Sequence, residues 1–285
     1  GSSQQAIFDQ GTLVGEVARG YVAGGTLIDL PYDDFNGRLA ATQRALATDT
    51  PAIYEAALLA DDVFVAIDIL AREGSGWRVI EVKSTTRVKD QHVPDAAIQV
   101  HVARHAGLNV TGADLMFLNR GCTYPDLSDL FQREDVSDRV EAMLAGIPRL
   151  AKEQIAMLAG PIPVVATGPH CTQPYDCPFH DRCWPALPEH HVSTLYHMKG
   201  ATAELEANGW STIHDLPTDL DLKLTADRQR RAVQTGRMIV EGDLAGALAR
   251  FQAPLAFLDF ETIQPAIPVW EGCHPYDQIP AQFSC

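Results

Sequence analysis

Two acidic residues and a lysine lie within neighbouring apolar segments of this chain. Asp68 falls in the β-branched run 62–70, and Glu81 and Lys83 fall in the similar run 77–83. Carboxylates among valine and isoleucine side chains are costly to bury unless a cation or an ion pair compensates them. Side chains alternate along a strand, so Lys83 shares the face of Glu81. The three residues together predict a divalent-metal site with a cationic neighbour.

A β-hairpin would bring these residues together. The two apolar runs are separated by residues 71–76, which contain two glycines suited to a turn. If Leu70 pairs with Trp77, Asp68 and Glu81 lie diagonally on one face, about 7 Å apart. A slip of one residue would send the two acids to opposite faces.

Asp68 followed by Glu81-Val-Lys83 resembles the D…(D/E)-x-K signature of the PD-(D/E)XK nucleases, in particular their RecB-like branch. The resemblance implies an α/β fold with a mixed central sheet flanked by helices, a restriction-endonuclease-like core. It implies that Asp68 and Glu81 bind Mg²⁺ or Mn²⁺, and that Lys83 orients or activates water and stabilises developing charge. The alternative is a set of solvated charges on an exposed strand.

The helices around the hairpin carry further candidates from the same resemblance. RecB-like nucleases usually have a glutamine on the helix after the hairpin, and Gln99 in the predicted helix 94–107 matches it; Ala103 replaces the tyrosine common four residues later. Glu16, in a helix predicted over 10–19, matches their first-helix metal ligand, and Glu55 is a further acid candidate. A satisfied helical glutamine and an exposed glutamate are the alternatives.

Three cysteines form the second informative pattern. Cys171, Cys177 and Cys183 are evenly spaced in a proline-rich segment, which in a chain that looks cytosolic favours metal binding over a disulfide. They resemble the trio that holds a [4Fe-4S] cluster in RecB-like proteins such as CRISPR-associated exonucleases.

The fourth ligand of such a cluster is not evident. It would lie outside this chain or be Cys122, His170 or His180, in which case zinc is the alternative metal. Three reduced structural cysteines are the remaining interpretation.

The net charge of −15 argues against nucleic acid as a partner, because phosphate binding depends on lysine and arginine. The charge is unevenly distributed: residues 68–110 carry six basic against five acidic residues. Arg87, Lys89 and Arg104 in this window are candidate contacts to DNA, with single strands favoured as substrate. No apolar run approaches the length of a membrane span, and the expectation is a soluble, cytoplasmic protein.

The length and composition leave room for more than one core, and we expect one large domain or two modest ones. Asp259 and Glu261 in the apolar run 254–263 resemble the first motif of DEDD-type exonucleases with an RNase H-like fold, here truncated. An uncharacterised bacterial family that fuses this domain to a RecB-like nuclease is similar. The predicted regions are a nuclease core (1–160), a cysteine-rich clamp (161–189), a small helical region (190–250) and the start of the exonuclease-like domain (251–285).

The predicted function is a metal-dependent DNA nuclease that acts on single strands or ends, in repair or in defence. The alternative is a catalytically inactive nuclease-like scaffold that binds DNA or protein. A zinc-stapled interaction protein unrelated to nucleic acid would also suit the acidic charge.

Overall fold

The β-branched runs of the first half of the chain form a six-stranded sheet in a computed structural model that describes residues 2–183 and 186–285. By their internal contacts, residues up to 163 together with 258–285 form a first unit, and residues 164–257 form a second. This division lies close to the boundary predicted near residue 160. It groups the carboxy-terminal stretch with the first unit.

Strand order in the sheet follows the sequence. The first two strands are parallel to each other, as are the fourth and fifth, and the remaining neighbours are antiparallel. The strands are β1 (Thr26–Leu27), β2 (Ala52–Ala60), β3 (Val63–Glu73), β4 (Gly76–Lys83), β5 (Val110–Leu118) and β6 (Phe131–Asp135).

Helices cover both faces of the sheet, so the predicted α/β class with a mixed, helix-flanked sheet is confirmed. The helices of the first unit are α1 (Ser2–Arg19), α2 (Phe35–Leu46), α3 (Val93–His105), α4 (Ser137–Leu144) and α5 (Ile147–Ala159). A parallel strand pair needs a crossover, and α3 supplies it between β4 and β5, as predicted. Pro94 in its first turn suits a helix start, where a missing N–H costs little.

The two sheet faces have separate cores. Val79 of β4 packs with Val100 of α3 in the larger core, which also includes residues of α4 and α5. Ile80, the next residue of β4, packs with Ala18 of α1 on the opposite face. This alternation along β4 places Glu81 on the α3 side.

The β3–β4 hairpin is present, but the predicted register is wrong by two residues. Leu70 pairs with Val79, and Trp77 pairs with Arg72. The turn is Gly74-Ser75, with a positive φ of 57° at Gly74, rather than the six-residue loop assumed from sequence. A shift of two preserves the faces, so Asp68 and Glu81 move from diagonal to directly opposite positions.

The carboxy-terminal stretch of the first unit contains a two-stranded ribbon, β7 (Asp259–Ile263) and β8 (Ile279–Ser284). The loop between them packs on the core: Ala266 and Ile267 lie against Val14 and Leu118. The backbone N–H of Ala266 donates to the side chain of Gln10 at 2.8 Å.

The second unit is built from short helices around its own small core. Its α-helices are α6 (His180–Cys183), α7 (Thr202–Ala207), α8 (Leu224–Thr235) and α9 (Leu244–Leu248). Val192, Leu205, Ile213 and Ala226 are buried together. Across both units, no described helix has the length and apolar character needed to cross a membrane.

We expect Gly76→Ala to destabilise the hairpin. A Cβ at Gly76 would lie 2.5 Å from the backbone oxygen of Asn109, which cannot move aside as a side chain can. Overpacking of this kind costs about 1–3 kcal/mol. Gly15→Ala in α1 is the control, because nothing lies within 4 Å of its Cβ and alanine favours a helix by about 1 kcal/mol. Urea unfolding should show opposite signs for the two variants; equal midpoints would contradict the packing at Gly76.

Candidate active site

Three acidic residues lie in one row across the central strands. Continuing the β2–β3 register by one residue places Glu55 opposite Asp68, and continuing the β3–β4 register places Asp68 opposite Glu81. Regular β2–β3 pairing skips this row: Tyr54 and Ala56 have partners on β3, whereas Glu55 has none. The carboxylates therefore meet where the sheet is interrupted.

On β2 and β3, the alternation of side chains between the two faces of the sheet shifts by one residue at this row. Ile53 and Ala56 of β2 face the same core, although they are three residues apart, and so do Ile67 and Leu70 of β3. In a regular strand such residues would face opposite sides. The interruption lies at Glu55, whose φ of +58° is uncommon for a residue with a side chain. Strain of this type costs about 1–3 kcal/mol and clusters at functional sites.

Asp68 occupies the gap that the interruption leaves. The backbone N–H of Val82 donates to its Oδ2 at 2.7 Å, so the side chain replaces a strand partner. Burial and the carboxylates of Glu81 and Glu55 raise the pKa of Asp68 well above its usual range, against the lowering effects of this hydrogen bond and of Lys83. The Val82 hydrogen bond and Lys83 therefore do not fully offset the free-energy cost of the charged form of Asp68.

Lys83 joins two acids at the end of β4. Its Nζ lies 2.8 Å from Oε1 of Glu81 and 2.5 Å from Oδ2 of Asp95 on α3. Burial lowers the pKa of Lys83, but Glu81 and Asp95 outweigh it and the net shift is upward. Lys83 is therefore a fixed positive charge at neutral pH. Sequence reasoning missed Asp95, because only the docking of α3 brings it to β4.

Gln99 contacts the same carboxylate from α3. Its Nε2 donates to Oε2 of Glu81 at 2.6 Å, and both side chains are buried. Among the described residues nothing donates to the buried Oε1 of Gln99. Such an orphaned acceptor suggests a missing polar partner, such as water or a cation.

Glu55 is anchored by two arginines that sequence reasoning did not identify. Arg19 of α1 lies 2.9 Å from Oε1 of Glu55, and the buried Arg38 of α2 lies 3.6 Å from Oε2. Burying a guanidinium is costly without a carboxylate partner, so the pair supports the unusual backbone at Glu55. No sequence spacing indicates this arrangement, because the three residues lie on separate elements.

Glu16 is not brought to the carboxylate row by any described contact. It is exposed on α1, and its side chain makes no hydrogen bond or ion pair within residues 2–183 and 186–285. Arg19, about one turn further along α1, contacts the row instead, because its guanidinium donates to Glu55.

The predicted DNA-contacting residues fall in two environments. Arg87 and Lys89 lie in the loop that continues from Lys83, and Arg87 is exposed. Arg104 instead donates to Oε1 of Glu141 at 2.5 Å and to the backbone oxygen of Val110. Its charge is already compensated, which leaves the loop residues as the better placed cations.

The three cysteines lie in the second unit. The backbone N–H of Cys177 donates to the oxygen of Cys171 at 2.8 Å; Cys171 is buried and Cys183 exposed. In the part of the chain that the structure describes, the three sulfurs do not all lie within 4.8 Å of one another. An iron–sulfur or zinc site at these residues stays a prediction.

Asp259 and Glu261 lie on β7, and both are exposed. Residues 256–285, which contain both acids, match a family described as "Domain of unknown function (DUF2779)". No curated protein and no solved structure shows a significant match to the chain. The assignment of this stretch to an exonuclease-like domain stays a prediction.

The carboxy-terminal stretch also contacts the loop that follows β4. The hydroxyl of Tyr276 donates to the backbone oxygen of Ser84, the residue after Lys83. Arg120, which follows β5, pairs with Asp277 at 2.9 Å. The stretch that matches the domain of unknown function therefore contacts the backbone of the residue that follows Lys83.

The residues of the row fit a divalent cation. Asp68 and Glu81 offer carboxylate oxygens, the ligands that Mg²⁺ and Mn²⁺ prefer. The pKa of Asp68 is raised first by burial and then by repulsion from Glu81, and a bound cation would offset both; the unpartnered Oε1 of Gln99 is a further oxygen beside Glu81.

We expect Asp68→Asn to stabilise the metal-free protein at high pH. An acid with a raised folded-state pKa binds a proton that the unfolded chain releases. The Asp68 carboxyl therefore lowers the free energy of unfolding as pH rises from the ordinary carboxyl pKa through the raised pKa of the folded state. An asparagine side chain at this position carries no such charge, and the gain should be about 1 kcal/mol at pH 8.

Urea unfolding with a chelator at pH 5 and pH 8 measures this effect. Glu153→Gln, which alters an exposed acid of α5, is the control and should leave stability within about 0.5 kcal/mol. An Asp68→Asn protein less stable than wild type at pH 8 would mean that Lys83 already compensates the charge.

Proposed function

We propose that this chain is a Mg²⁺- or Mn²⁺-dependent DNA nuclease of the PD-(D/E)XK type, acting on single strands or ends. The observation that carries the proposal is the convergence of Asp68, Glu81, Lys83 and Gln99 at an interrupted row of the sheet. A scaffold that needs only stability gains nothing from placing two carboxylates where they raise the pKa of a third, buried one, Asp68. Strain and repulsion held in place in this way are typical of functional sites.

Asp68 and Glu81 would hold the cation in this proposal. When bound, a divalent ion would neutralise charge on the scissile phosphate and activate water for attack. Glu81 is oriented for this task by Gln99, whose Nε2 holds one carboxylate oxygen. Gln99 thereby acts as a positioning residue.

Lys83 would act by its charge rather than as a base. Its upward-shifted pKa keeps the ammonium group protonated at neutral pH, so it cannot accept a proton from water. A protonated Nζ can donate to a phosphate oxygen and stabilise the negative charge that develops there. The Asp95 carboxylate, 2.5 Å from Nζ, fixes the position of the ammonium group.

The loop after β4 would bind the DNA backbone. Arg87 and Lys89 follow Lys83 closely in the chain, so a strand held by this loop would run towards the carboxylate row. Local positive charge of this kind can bind phosphate despite an acidic total charge.

We expect Asp68→Asn, Glu81→Gln and Lys83→Met each to lower cleavage at least about 100-fold, because each removes a charge that the reaction needs. The assay uses single-stranded DNA labelled at the 5′ or 3′ end, with Mn²⁺ or with a chelator. Glu153→Gln and Lys152→Met, which are exposed on α5, serve as charge-matched controls and should retain activity.

Cleavage that persists in Asp68→Asn and Lys83→Met would refute the assignment. Metal-independent DNA binding by the wild type without any turnover would favour the inactive scaffold instead.

Replacing Arg87 and Lys89 together by alanine should weaken DNA binding and its salt dependence. Each lost phosphate contact lowers the slope of log K against log salt by about 0.7 for single strands. Binding to a labelled oligonucleotide, measured in chelator across a salt series, tests this expectation. Arg149→Ala with Lys152→Ala removes the same charge from α5 and is the control; equal slopes for both double variants would exclude the loop as the contact.

A further inference from the structure

A second cluster of metal-ligand side chains joins α3 to the β2–β3 turn, apart from the carboxylate row. In the described part of the chain, Asp61, His101 and His105 are the group of three whose ligand atoms all lie within 4.8 Å of one another. His101 and His105 are one turn apart on α3, and their ring centroids are 4.0 Å apart. Successive helix residues rotate by about 100°, so His101 points away from the side that carries Gln99.

Both imidazoles converge on one carboxylate oxygen. Nε2 of His101 lies 3.2 Å from Oδ2 of Asp61, and Nδ1 of His105 lies 2.5 Å from the same atom. Ligands about 2.0–2.1 Å from a tetrahedral zinc ion lie about 3.3 Å apart. One distance already matches this separation, and the other must open by less than about 1 Å.

A tight turn presents Asp61 to the helix. Ala60 and Val63 pair with each other, so Asp61 and Asp62 are the two turn residues, with φ of +52° and +61°. Such turns usually contain asparagine and glycine, because both residues need a positive φ. Two aspartates here accept a less favourable backbone, and Asp61 is the one that contacts the histidines.

The burial of the cluster suits a bound ion with room for an outside ligand. His101 is 4% exposed, whereas Asp61 and His105 are about half exposed. His101 also lines a cavity of about 230 Å³ with Asp62, Ile98 and apolar residues of α5. Asp61 and His105 are therefore within reach of solvent, which leaves room for an outside ligand.

We propose that Asp61, His101 and His105 form a zinc site that ties the β2–β3 turn to α3. Imidazole ligands favour Zn²⁺ and other transition metals over Mg²⁺, which prefers oxygen ligands. The site therefore differs in metal preference from the row around Asp68. It does not depend on the nuclease proposal.

The test measures zinc uptake by the full chain after treatment with a chelator. Equilibrium dialysis against ZnCl₂ and elemental analysis give the zinc bound by wild type, Asp61→Asn, His105→Gln and Asp62→Asn. Asparagine tolerates a positive φ, so Asp61→Asn keeps the turn, and Asp62→Asn is the matched control in the same turn. Zinc held by cysteines would be equal in all four proteins and would cancel.

We expect Asp61→Asn and His105→Gln each to lose one zinc equivalent, with an affinity at this site more than about 10-fold weaker. Asp62→Asn should match wild type, and zinc should raise the melting temperature of Asp62→Asn and of the wild type more than that of Asp61→Asn or His105→Gln. Equal uptake by all four proteins, or no uptake by wild type, would overturn the site and leave a hydrogen-bonded cluster alone. Circular dichroism without metal verifies that each variant is folded.

Discussion

The burial of the Asp68 carboxylate beside those of Glu81 and Glu55, at an interrupted row of the sheet, is the constraint on which the candidate site depends. Glu55, Asp68 and Glu81 lie on successive strands at the row that regular pairing skips. At this row the alternation of side chains on β2 and β3 shifts by one residue, so that apolar residues before and after it still face the core. The backbone of Val82 turns to Asp68 instead of a strand partner. A continuous ladder would be more stable, but it would leave no gap for a polar site.

The surroundings of the row limit its cost. Arg19 and Arg38 neutralise Glu55, and Lys83 with Gln99 satisfies Glu81. Asp68 is left with the weakest compensation, as the rise in its pKa indicates. The helices α1, α2 and α3 therefore each contribute a charged or polar side chain as well as apolar contacts. The same packing that forms the core also positions the site.

The sequence indicated part of the arrangement of the row. Runs rich in valine and isoleucine, with glycines between them, determined the hairpin, and strand alternation placed Glu81 and Lys83 on one face. The register was wrong by two residues because the turn length depends on backbone conformation at Gly74. Since a shift of two preserves faces, Asp68 still lies across from Glu81 despite the error.

Only the tertiary structure decided which distant residues complete the sites. Asp95 pairs with Lys83, two arginines pair with Glu55, and Asp61 contacts two histidines. In each case the partners belong to elements that are separate in the chain. Local pattern sets the face of a strand or helix, but it did not single out His101 and His105, because their carboxylate partner lies on a separate turn. Which faces meet depends on how helices dock on the sheet, and that is decided by packing of the whole core.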